Sequence, residues 1–366
     1  MAKIKNSFKF VGKLGFKDDG LRVIESQNNK KWHGKEIELK VSTDTGTGTQ
    51  YVKLFGGVTD GQPIFSFSKD KDEKGKLIKL EIPFSKRNDA DVIKTVADFK
   101  KIKILDKEFI SEVDAIDYLE ENKLDLDGKR LKVMGDVVIE EYKGKVYTKY
   151  YVNRIFEAKD EDKDGFTGDL AVFFNKDAID EAYKKGKEVN YTLVGKDRKL
   201  PLDVYVEVYN KDKTTRKEKP YFYLPIQVCF ALQDKFDFEN ENHKKRFAFN
   251  VSNFLIKSGI KELGWTVRFF KGAEKTEITM ADLTNFEKAQ IENGVKTFEE
   301  IAKFKEGWGQ FKEEIQLIAP HGSYEDGAID SVLTDDDLEV VFFEPEEKEE
   351  VKEEVKEVIV NDEDLF

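Results

Sequence analysis

Two segments of the sequence place an aromatic residue, a lysine and a second aromatic residue at alternate positions. They are Tyr51, Lys53 and Phe55 in the first segment, and Tyr147, Lys149 and Tyr151 in the second. Alternate residues of a β-strand point to the same face, so each triplet would expose two rings with a cation between them. Rings of this kind stack on bases while lysine pairs with the neighbouring phosphate. The pattern predicts a surface for single-stranded nucleic acid.

Basic and aromatic residues near both triplets would extend this surface into a positively charged track. They are Lys31, Trp32, Lys35 and Lys40 near the first triplet, and Tyr142, Lys143, Lys145 and Arg154 around the second. The loop 211–219, with Arg216 and Lys217, is a further candidate. The alternative is structural, because exposed rings often cover a neighbouring domain and lysines protect strand edges from aggregation.

Short alternating segments separated by turn residues predict that strands position these side chains. In the first part of the chain, turn signals occur at Asp19-Gly20, Asn28-Asn29 and Gly56-Gly57. About five short strands and one small helix fit a Greek-key barrel such as an OB-fold, and they would also fit a β-sandwich.

A helix and a second β unit follow. Apolar residues at helical spacing predict a helix over about 107–123, with Ser111 as its N-cap. Alternating segments between 130 and 231 predict the strands of the second unit. Further on, we expect a helix over 250–260 and a strand near 265–270.

Two pairs of short motifs are consistent with a duplicated OB-like unit, and the alternative is two unrelated small β-domains. The motif at 9–12 resembles that at 132–135, and the motif at 32–35 resembles that at 142–145. The predicted fold is therefore mainly β with an α+β C-terminal part, two OB-like small β-barrels and a disordered acidic tail. Its predicted parts are an OB-like barrel (1–106), a helical linker (107–126), a second OB-like β unit (127–234), an α+β region (235–334) and the tail (335–366).

Charge is concentrated at the C-terminal end. Residues 335–366 contain fifteen acidic residues and three lysines, a net charge of −12, whereas residues 1–334 hold 59 acidic and 59 basic residues. A block of like charge is typical of a solvated interaction tail. Because nucleic-acid-binding domains are usually basic, a neutral body predicts weak or moderate binding unless its charges segregate onto opposite faces.

The chain ends with three acidic residues, an aliphatic residue and an aromatic residue: Asp362, Glu363, Asp364, Leu365 and Phe366. This end resembles the C-terminal tip of single-stranded DNA-binding proteins of bacteria and their phages, in which Pro usually precedes the Phe. The Pro is absent here, as in several phage proteins of this class. The resemblance implies a tip that docks on replication proteins of the polymerase, helicase or primase type and competes with DNA for the protein's own groove. The alternative is a solubility tail.

Motifs for other chemistry are incomplete. Residues 160–165 resemble the opening of a calcium-binding EF-hand loop, but its twelfth position is Ala171 instead of Glu. The three histidines lack zinc-ligand spacing, and the chain has no phosphate-binding loop motif. We therefore expect no metal, no cofactor and no enzymatic activity. The single cysteine, Cys229, excludes an intramolecular disulfide and indicates a reducing compartment.

The N-terminal residues contain no signal-peptide pattern and no apolar run approaches the ~18 residues of a membrane span, so we expect a cytoplasmic protein. The leading hypothesis is a phage-encoded single-stranded DNA-binding protein that coats DNA and recruits replication proteins. The main alternative is a non-enzymatic phage or bacterial interaction or assembly protein with an acidic solubility tail. An enzyme whose site is not visible in the sequence is the third hypothesis.

Overall fold

A computed structural model describes residues 4–25, 31–43, 48–210, 219–232, 236–272, 280, 283–305, 311–324 and 326–339 of the 366-residue chain. The strands of this part are β1 (Ser7–Glu25), β2 (Trp32–Ser42), β3 (Thr49–Thr59), β4 (Ile64–Lys71), β5 (Leu77–Ile82), β6 (Ile102–Ile104), β7 (Lys107–Phe109), β8 (Arg130–Tyr142), β9 (Lys145–Glu157), β10 (Gly165–Phe174), β11 (Lys184–Lys185), β12 (Glu188–Val189), β13 (Lys199–Tyr209), β14 (Tyr221–Ala231), β15 (Lys261–Gly272), β16 (Lys312–Pro320) and β17 (Ile329–Asp330).

The α-helices of the same part are α1 (Ala90–Thr95), α2 (Glu112–Glu121), α3 (Lys123–Leu126), α4 (Tyr191–Asp197), α5 (Glu241–Ser252), α6 (Asn285–Glu292) and α7 (Phe298–Lys305). Short 3-10 helices include Asp98–Lys100 and Asp335–Leu338. Among the described residues, no helix combines the length and the apolar composition that crossing a membrane requires. The chain is mainly β, as the sequence predicts.

Strands β1, β2, β3, β8 and β9 form a five-stranded barrel. β1 pairs antiparallel with β2 and β8, β2 pairs with β3, and β8 pairs with β9. The barrel closes where β3 and β9 run parallel, with Lys53 opposite Tyr151. Between β3 and β8 in sequence, helix α2 buries Ala115, Ile116 and Leu119 in the core that these strands share. A closed five-stranded barrel of this kind is OB-like.

Alternation of side chains explains why these segments form a barrel. Ile37, Leu39, Val41, Val52 and Leu54 are buried, while the residues between them face away from the core. Where β8 meets β9 the pairing shifts register next to Gly135. A Cβ atom at Gly135 would lie 1.9 Å from the backbone oxygen of Tyr151, so only glycine allows the strands to approach there.

The barrel does not follow the predicted boundaries. The segment 107–126, predicted as a linker, contains β7, α2 and α3, and α2 covers the barrel core. Strands β8 and β9, assigned by sequence to the unit 127–234, pair with β1 and β3 instead. The division at 106 and 127 therefore cuts through one barrel, because local periodicity identifies strands but not their distant partners.

The remaining long strands repeat the pairing scheme of the barrel. β10 pairs antiparallel with β13 and β15, β13 pairs with β14, and β15 pairs with β16. β14 and β16 run parallel, as β3 and β9 do. Helix α5 lies between β14 and β15 in sequence and buries Phe247 and Val251. This set includes strands from the regions predicted as 127–234 and 235–334.

Aromatic packing joins the two sets of strands. β1 pairs with β10 over Ser7–Val11. The ring of Phe269 on β15 lies 5.1 Å from Tyr150 on β9 and 6.0 Å from Phe10 on β1, between ring centroids. The amide of Gln50 donates a 3.0 Å hydrogen bond to the backbone oxygen of Phe269. The two sets therefore form one continuous sheet and core.

The first residues of the acidic segment belong to the ordered structure. Asp335–Leu338 forms a 3-10 helix, and Leu338 is buried against Phe173 and Tyr223. This differs from the prediction of a tail that is disordered from 335, since Leu338 has an apolar site to occupy. Residues 340–366, including Asp362, Glu363, Asp364, Leu365 and Phe366, lie outside the described residues.

Candidate nucleic-acid interface

The pairing of β3 with β9 places the two aromatic triplets on neighbouring strands. Lys53, at the centre of the first triplet, lies opposite Tyr151 of the second. Because the strands are parallel, Tyr51 lies beside Lys149 two residues earlier, while Tyr147 and Phe55 extend the surface at its two ends. The triplets therefore form one surface on the outside of the barrel.

The rings of this surface are accessible. Tyr51, Phe55 and Tyr147 expose 43%, 42% and 44% of their area, and Tyr151 is half-buried. The alternate residues point inward, and Val52 and Val152 are buried. The outward faces predicted for both strands agree with the structure. Accessible rings at strand spacing are the geometry that base stacking requires.

Strand β2 adds Trp32 and Lys40 to the same side of the barrel. The indole of Trp32 covers Gly34 and Gly57, where any added Cβ atom would lie 2.3 Å from the ring. Lys40 is opposite Tyr51 on β3, and its side chain lies over Gly15 of β1. In OB-like barrels the second and third strands, here β2 and β3, form the face used for oligonucleotides.

The turn between β8 and β9 projects beside this face. Lys143 and Gly144 both have positive φ, 53° and 73°, as a two-residue type I′ hairpin turn requires. Tyr142 is 62% exposed, and the Lys143 ammonium lies 5.4 Å from its ring centroid. Lys145 is exposed at the start of β9. This turn is equivalent to the loop between strands four and five that contributes to ligand binding in OB-like barrels.

Glutamates neutralise the central lysines. The Lys53 ammonium lies 3.0 Å from a carboxylate oxygen of Glu36 and 3.7 Å from one of Glu38. Lys149 donates a 2.6 Å hydrogen bond to Glu140, and this bond raises the pKa of the Lys149 ammonium despite partial burial. Phosphate groups would have to compete with these carboxylates, which lowers the affinity expected for DNA.

Two predicted residues lie apart from the triplets. Lys35 forms an ion pair with Asp117 of α2 and therefore faces the helix side of the barrel. Arg154 follows the register shift in β9 and lines a cleft of about 510 Å³ at the junction of the two strand sets. Lys31 is exposed directly before β2. Residues 211–218 of the predicted basic loop lie outside the described residues.

Sequence reasoning missed the charged network around the triplets. Lys17 of β1 lies 3.3 Å from Glu38 and 5.2 Å from the ring centroid of Tyr51, and Arg22 lies 3.9 Å from Glu36. The only signal in the sequence was the alternation of Glu36 and Glu38 with apolar residues, which shows an outward face but not its partners.

In the second strand set, which consists of β10, β13, β14, β15 and β16, the face on β13 and β14 is less accessible than the face on β2 and β3. Tyr209 lies opposite Tyr221, with ring centroids 6.0 Å apart, and Tyr223 donates a 3.2 Å hydrogen bond to Glu207. Burial raises the pKa of Tyr223. Because Leu338 covers part of this face and acidic residues adjoin it, the first barrel has the more accessible stacking surface.

Comparison with known proteins gives little beyond this geometry. No protein-family model matches the chain, and no curated protein matches it. One solved structure that matches is a deletion mutant of the single-stranded DNA-binding protein from Thermus aquaticus, with a TM-score of 0.25 and 9% identity. The match covers 73% of this chain and 86% of that chain. A TM-score this low carries no argument, so the OB-like assignment rests on the strand pairing.

Proposed function

We propose that this protein binds single-stranded DNA on the outer face of the barrel formed by β1, β2, β3, β8 and β9. The observation that carries the proposal is the pairing of Lys53 with Tyr151, which joins the two aromatic triplets into one exposed surface. Such surfaces bind single strands with little sequence preference, since every base has a face that can stack. The protein acts as a binding protein without enzymatic activity.

The strand would follow β3 and β9. Bases stack on Tyr51, Phe55 and Tyr147, and phosphates pair with Lys53 and Lys149. These two lysines already contact glutamates, so binding exchanges one set of ion pairs for another. The affinity should therefore come mainly from stacking, with a shallow salt dependence for a protein of this class.

The repeated pairing of β10, β13, β14, β15 and β16 supports a second OB-like barrel in the chain. This would make the protein a tandem of two OB-like units, with unit boundaries other than those predicted from sequence. The first barrel makes the primary DNA contact because its stacking face is exposed.

The acidic C-terminus supplies the second part of the proposal. Residues 340–366 recruit replication proteins through the tip that ends in Leu365-Phe366, in the cytoplasm of a bacterial or phage-infected cell. The support for this part is the sequence resemblance and the charge of −12 over residues 335–366. Residues 340–366, with 11 acidic residues and 3 lysines, carry a net charge of −8, and an acidic block of this kind would also compete with DNA for cations, most strongly at low salt.

A non-enzymatic interaction or assembly protein is the second candidate. The observation that favours it is the neutralisation of Lys53 and Lys149 by glutamates, because a face with paired cations also suits a protein partner. Under this hypothesis the acidic tail serves solubility.

A titration with fluorescently labelled oligo-dT separates the two candidates. Binding should saturate at ~50 mM salt and weaken as salt increases, with a log–log slope of about −0.7 per phosphate neutralised. Oligo-rU as competitor reports the preference for DNA over RNA, and duplex DNA should compete poorly. A protein that shows no saturable binding to oligo-dT at low salt does not have the proposed function.

Removal of residues 340–366 tests the role of the tail. Under the proposal the truncated protein binds oligo-dT more tightly at low salt and no longer retains replication proteins. Phe366→Ala should leave oligo-dT affinity unchanged and weaken only partner binding. If truncation merely promotes aggregation and changes neither interaction, the tail serves solubility.

A further inference from the structure

The hairpin of β4 and β5 carries a second set of exposed rings, outside the barrel. β4 and β5 pair only with each other in a two-stranded sheet inserted between β3 and α1, apart from one bridge between Ser68 and Val96 among the described residues. Phe65 on β4 is 72% exposed, and Phe99, on the 3-10 helix before β6, is 59% exposed. Neither ring contributes to a hydrophobic core.

The opposite side of the hairpin is firmly attached. Ile82, Val96 and Ile110 form a small core of their own beneath it, and the backbone oxygen of Phe67 accepts a 2.8 Å hydrogen bond from the Ala97 backbone. The guanidinium of Arg87 donates two hydrogen bonds to Asp114 of α2, so the chain after the hairpin is held to the barrel. The exposed rings therefore have a fixed position relative to the barrel.

Lysines lie among these rings. The Lys100 ammonium is 5.7 Å from the ring centroid of Phe67 and 5.8 Å from that of Phe99, while the two rings are 6.3 Å apart and inclined by 32°. Lys79 lies opposite Phe67 across the hairpin, and Glu81 lies opposite Phe65. Protein-binding patches are depleted in lysine at their centres, whereas single-strand surfaces combine rings with cations.

The ring of Phe99 connects this surface to the barrel face. Phe99 lines the cleft of about 510 Å³ together with Arg154 and Met134. Arg154 follows Tyr151 on β9 by three residues, or roughly 10 Å of strand. The other cations of the cleft are Lys5, Lys9 and Lys101. Its carboxylates are Asp98, Asp136 and Asp169.

From this continuity we infer that the β4–β5 hairpin and Phe99 form a second stacking site for the same DNA strand. The strand leaves the barrel face at Tyr151, passes Arg154 in the cleft, and stacks bases on Phe99, Phe67 and Phe65. This inference rests on the proposed function, and it extends the site to an inserted element that is not part of the barrel.

The test compares short and long oligo-dT on the full-length protein. A double variant, Phe65→Ala with Phe99→Ala, should bind an oligonucleotide of about 20 nucleotides at least tenfold more weakly. For about 6 nucleotides, which cover only the barrel face, the change should stay below about twofold. The matched control is Phe249→Ala with Phe286→Ala, which removes two rings that are 69% and 73% exposed on α5 and α6. Circular dichroism and melting temperature confirm that the variants fold.

A second variant tests the cations. Lys79→Gln with Lys100→Gln should reduce the magnitude of the salt slope for the long oligonucleotide by about 1.4, since each phosphate contact contributes about 0.7. The slope for the short oligonucleotide should not change.

Each other outcome overturns the inference. If the wild type binds long oligo-dT and the phenylalanine variant binds it equally well, the hairpin is not a DNA site and the proposed function stands. If the variant changes the mass of the protein in sedimentation without changing DNA affinity, the hairpin is an interface between copies of the chain. If the wild type binds no oligo-dT, the proposed function itself fails, and this inference fails with it.

Discussion

Lys53 of β3 and Tyr151 of β9 lie opposite each other at the parallel pairing that closes the OB-like barrel. This contact turns two separate sequence patterns into one surface. On either strand alone, a ring–lysine–ring triplet could serve as the cover for another domain. In the folded chain the two triplets lie side by side, and three of their four rings are more than 40% exposed. They form a surface that the rest of the described chain does not cover.

The first prediction concerns the rings of this surface. Tyr51→Ala and Tyr147→Ala should each weaken oligo-dT binding by about fivefold to 150-fold, because a stacked base contributes roughly 1–3 kcal/mol. Fluorescence anisotropy at fixed salt measures the effect. Both side chains are exposed, so folding stability should change by less than about 0.5 kcal/mol.

Two controls make this prediction specific. Tyr147→Phe keeps the ring and should retain nearly full affinity, whereas a loss equal to that of Tyr147→Ala would show that the hydroxyl and not stacking matters. Phe286→Ala on α6 removes an even more exposed ring elsewhere and should have no effect. An equal loss in Tyr51→Ala and Phe286→Ala would contradict the proposed location of the site.

The second prediction concerns the partner of Lys149. Glu140→Gln removes the carboxylate that accepts its hydrogen bond, so the ammonium becomes available to phosphate. Oligo-dT affinity should increase several-fold, and the magnitude of the salt slope should increase by up to about 0.7. Glu120→Gln on helix α2 is the matched control, and an equal increase there would indicate a general charge effect.

The pH dependence of this pair follows from the direction of the pKa shift. The hydrogen bond to Glu140 raises the pKa of Lys149 above 10.5, so the lysine remains charged throughout the neutral range. The stabilisation from the pair is complete below the pKa of the unfolded state and is lost only as pH rises through the folded value. Lys149 should therefore add no pH dependence to binding between pH 6 and 9. If the affinity of the wild type changes with pH in that window and Glu140→Gln abolishes the change, this assignment is wrong.

The sequence predicted local secondary structure better than it predicted which strands pair with each other. The alternation at 51–55 and 147–151 identified the outward faces of β3 and β9. Helical spacing identified α2, but the helix begins at Glu112 and not near 107, because residues 107–109 form β7. Ser111 is the N-cap residue of α2 as predicted, yet its side chain makes no capping bond and its hydroxyl is buried without a partner. Local sequence patterns thus predict which residues form a helix more reliably than they predict the hydrogen bonds that cap its end.

The likeness of the short motifs did not identify the repeated unit, and the reason is physical. The motifs at 9–12 and 132–135 lie on β1 and β8, which pair with each other in one barrel. Their likeness reflects two neighbouring strands that bury similar residues, and it does not mark a duplication. The repeated pairing instead relates β1 to β10, since each pairs with two further strands of its own set. Strand order depends on contacts between distant residues, which side-chain periodicity does not encode.

Only part of the candidate site was predicted, for the same reason. The triplets, Trp32, Lys40 and the turn at Lys143 lie around one face of the barrel, whereas Lys35 turns towards Asp117. A single strand pattern could not show this, because the partner of Lys35 is on a helix far along the chain. The rings of Phe65 and Phe99 were also missed. The alternate positions on either side of Phe65 are Pro63 and Phe67, so no lysine marks its strand, and Phe99 lies on a 3-10 helix, where strand alternation does not apply.

The third prediction concerns the start of the acidic segment. Leu338 is buried against Phe173 and Tyr223, so Leu338→Ala should lower the free energy of unfolding by about 2 kcal/mol, the lower end of the range for buried leucine. The lower end applies because a short terminal segment can detach instead of leaving a cavity. Denaturant titration measures the loss, and limited proteolysis should show faster cleavage near 331–339.

Val332→Ala is the control within the same segment, because Val332 is 99% exposed and should not affect stability. Hydrogen bonds from the Thr334 backbone and hydroxyl lower the pKa of Asp337. Their stabilisation is present above pH 3.8 and is lost as pH falls through the folded value, so acid should weaken the attachment of the segment. A segment that is cleaved equally fast in the wild type and in Leu338→Ala would show that Leu338 is not docked in solution.

The fourth prediction concerns Cys229, at the parallel pairing of β14 with β16. Cys229 lies opposite Gln316, is 4% exposed, and burial raises the pKa of its thiol to about 12. At pH 8 only about one molecule in 10⁴ then carries the thiolate. The native protein should therefore react slowly with a thiol reagent such as dithionitrobenzoate, while the protein in urea, where the thiol is exposed, should react promptly.

The variant Glu314→Gln shows whether burial or the nearby negative charge is the main cause of the raised pKa of Cys229. The Glu314 carboxylate lies 3.9 Å from the Cys229 sulfur, but burial is the larger cause of the raised pKa. The variant should therefore stay almost as unreactive as the wild type. Rapid labelling of the native wild type would mean that β14 and β16 separate without global unfolding, and the second strand set would then not be a closed barrel. Because the proposed tandem of OB-like units depends on this pairing, the rate of labelling measures how firmly the second strand set is closed.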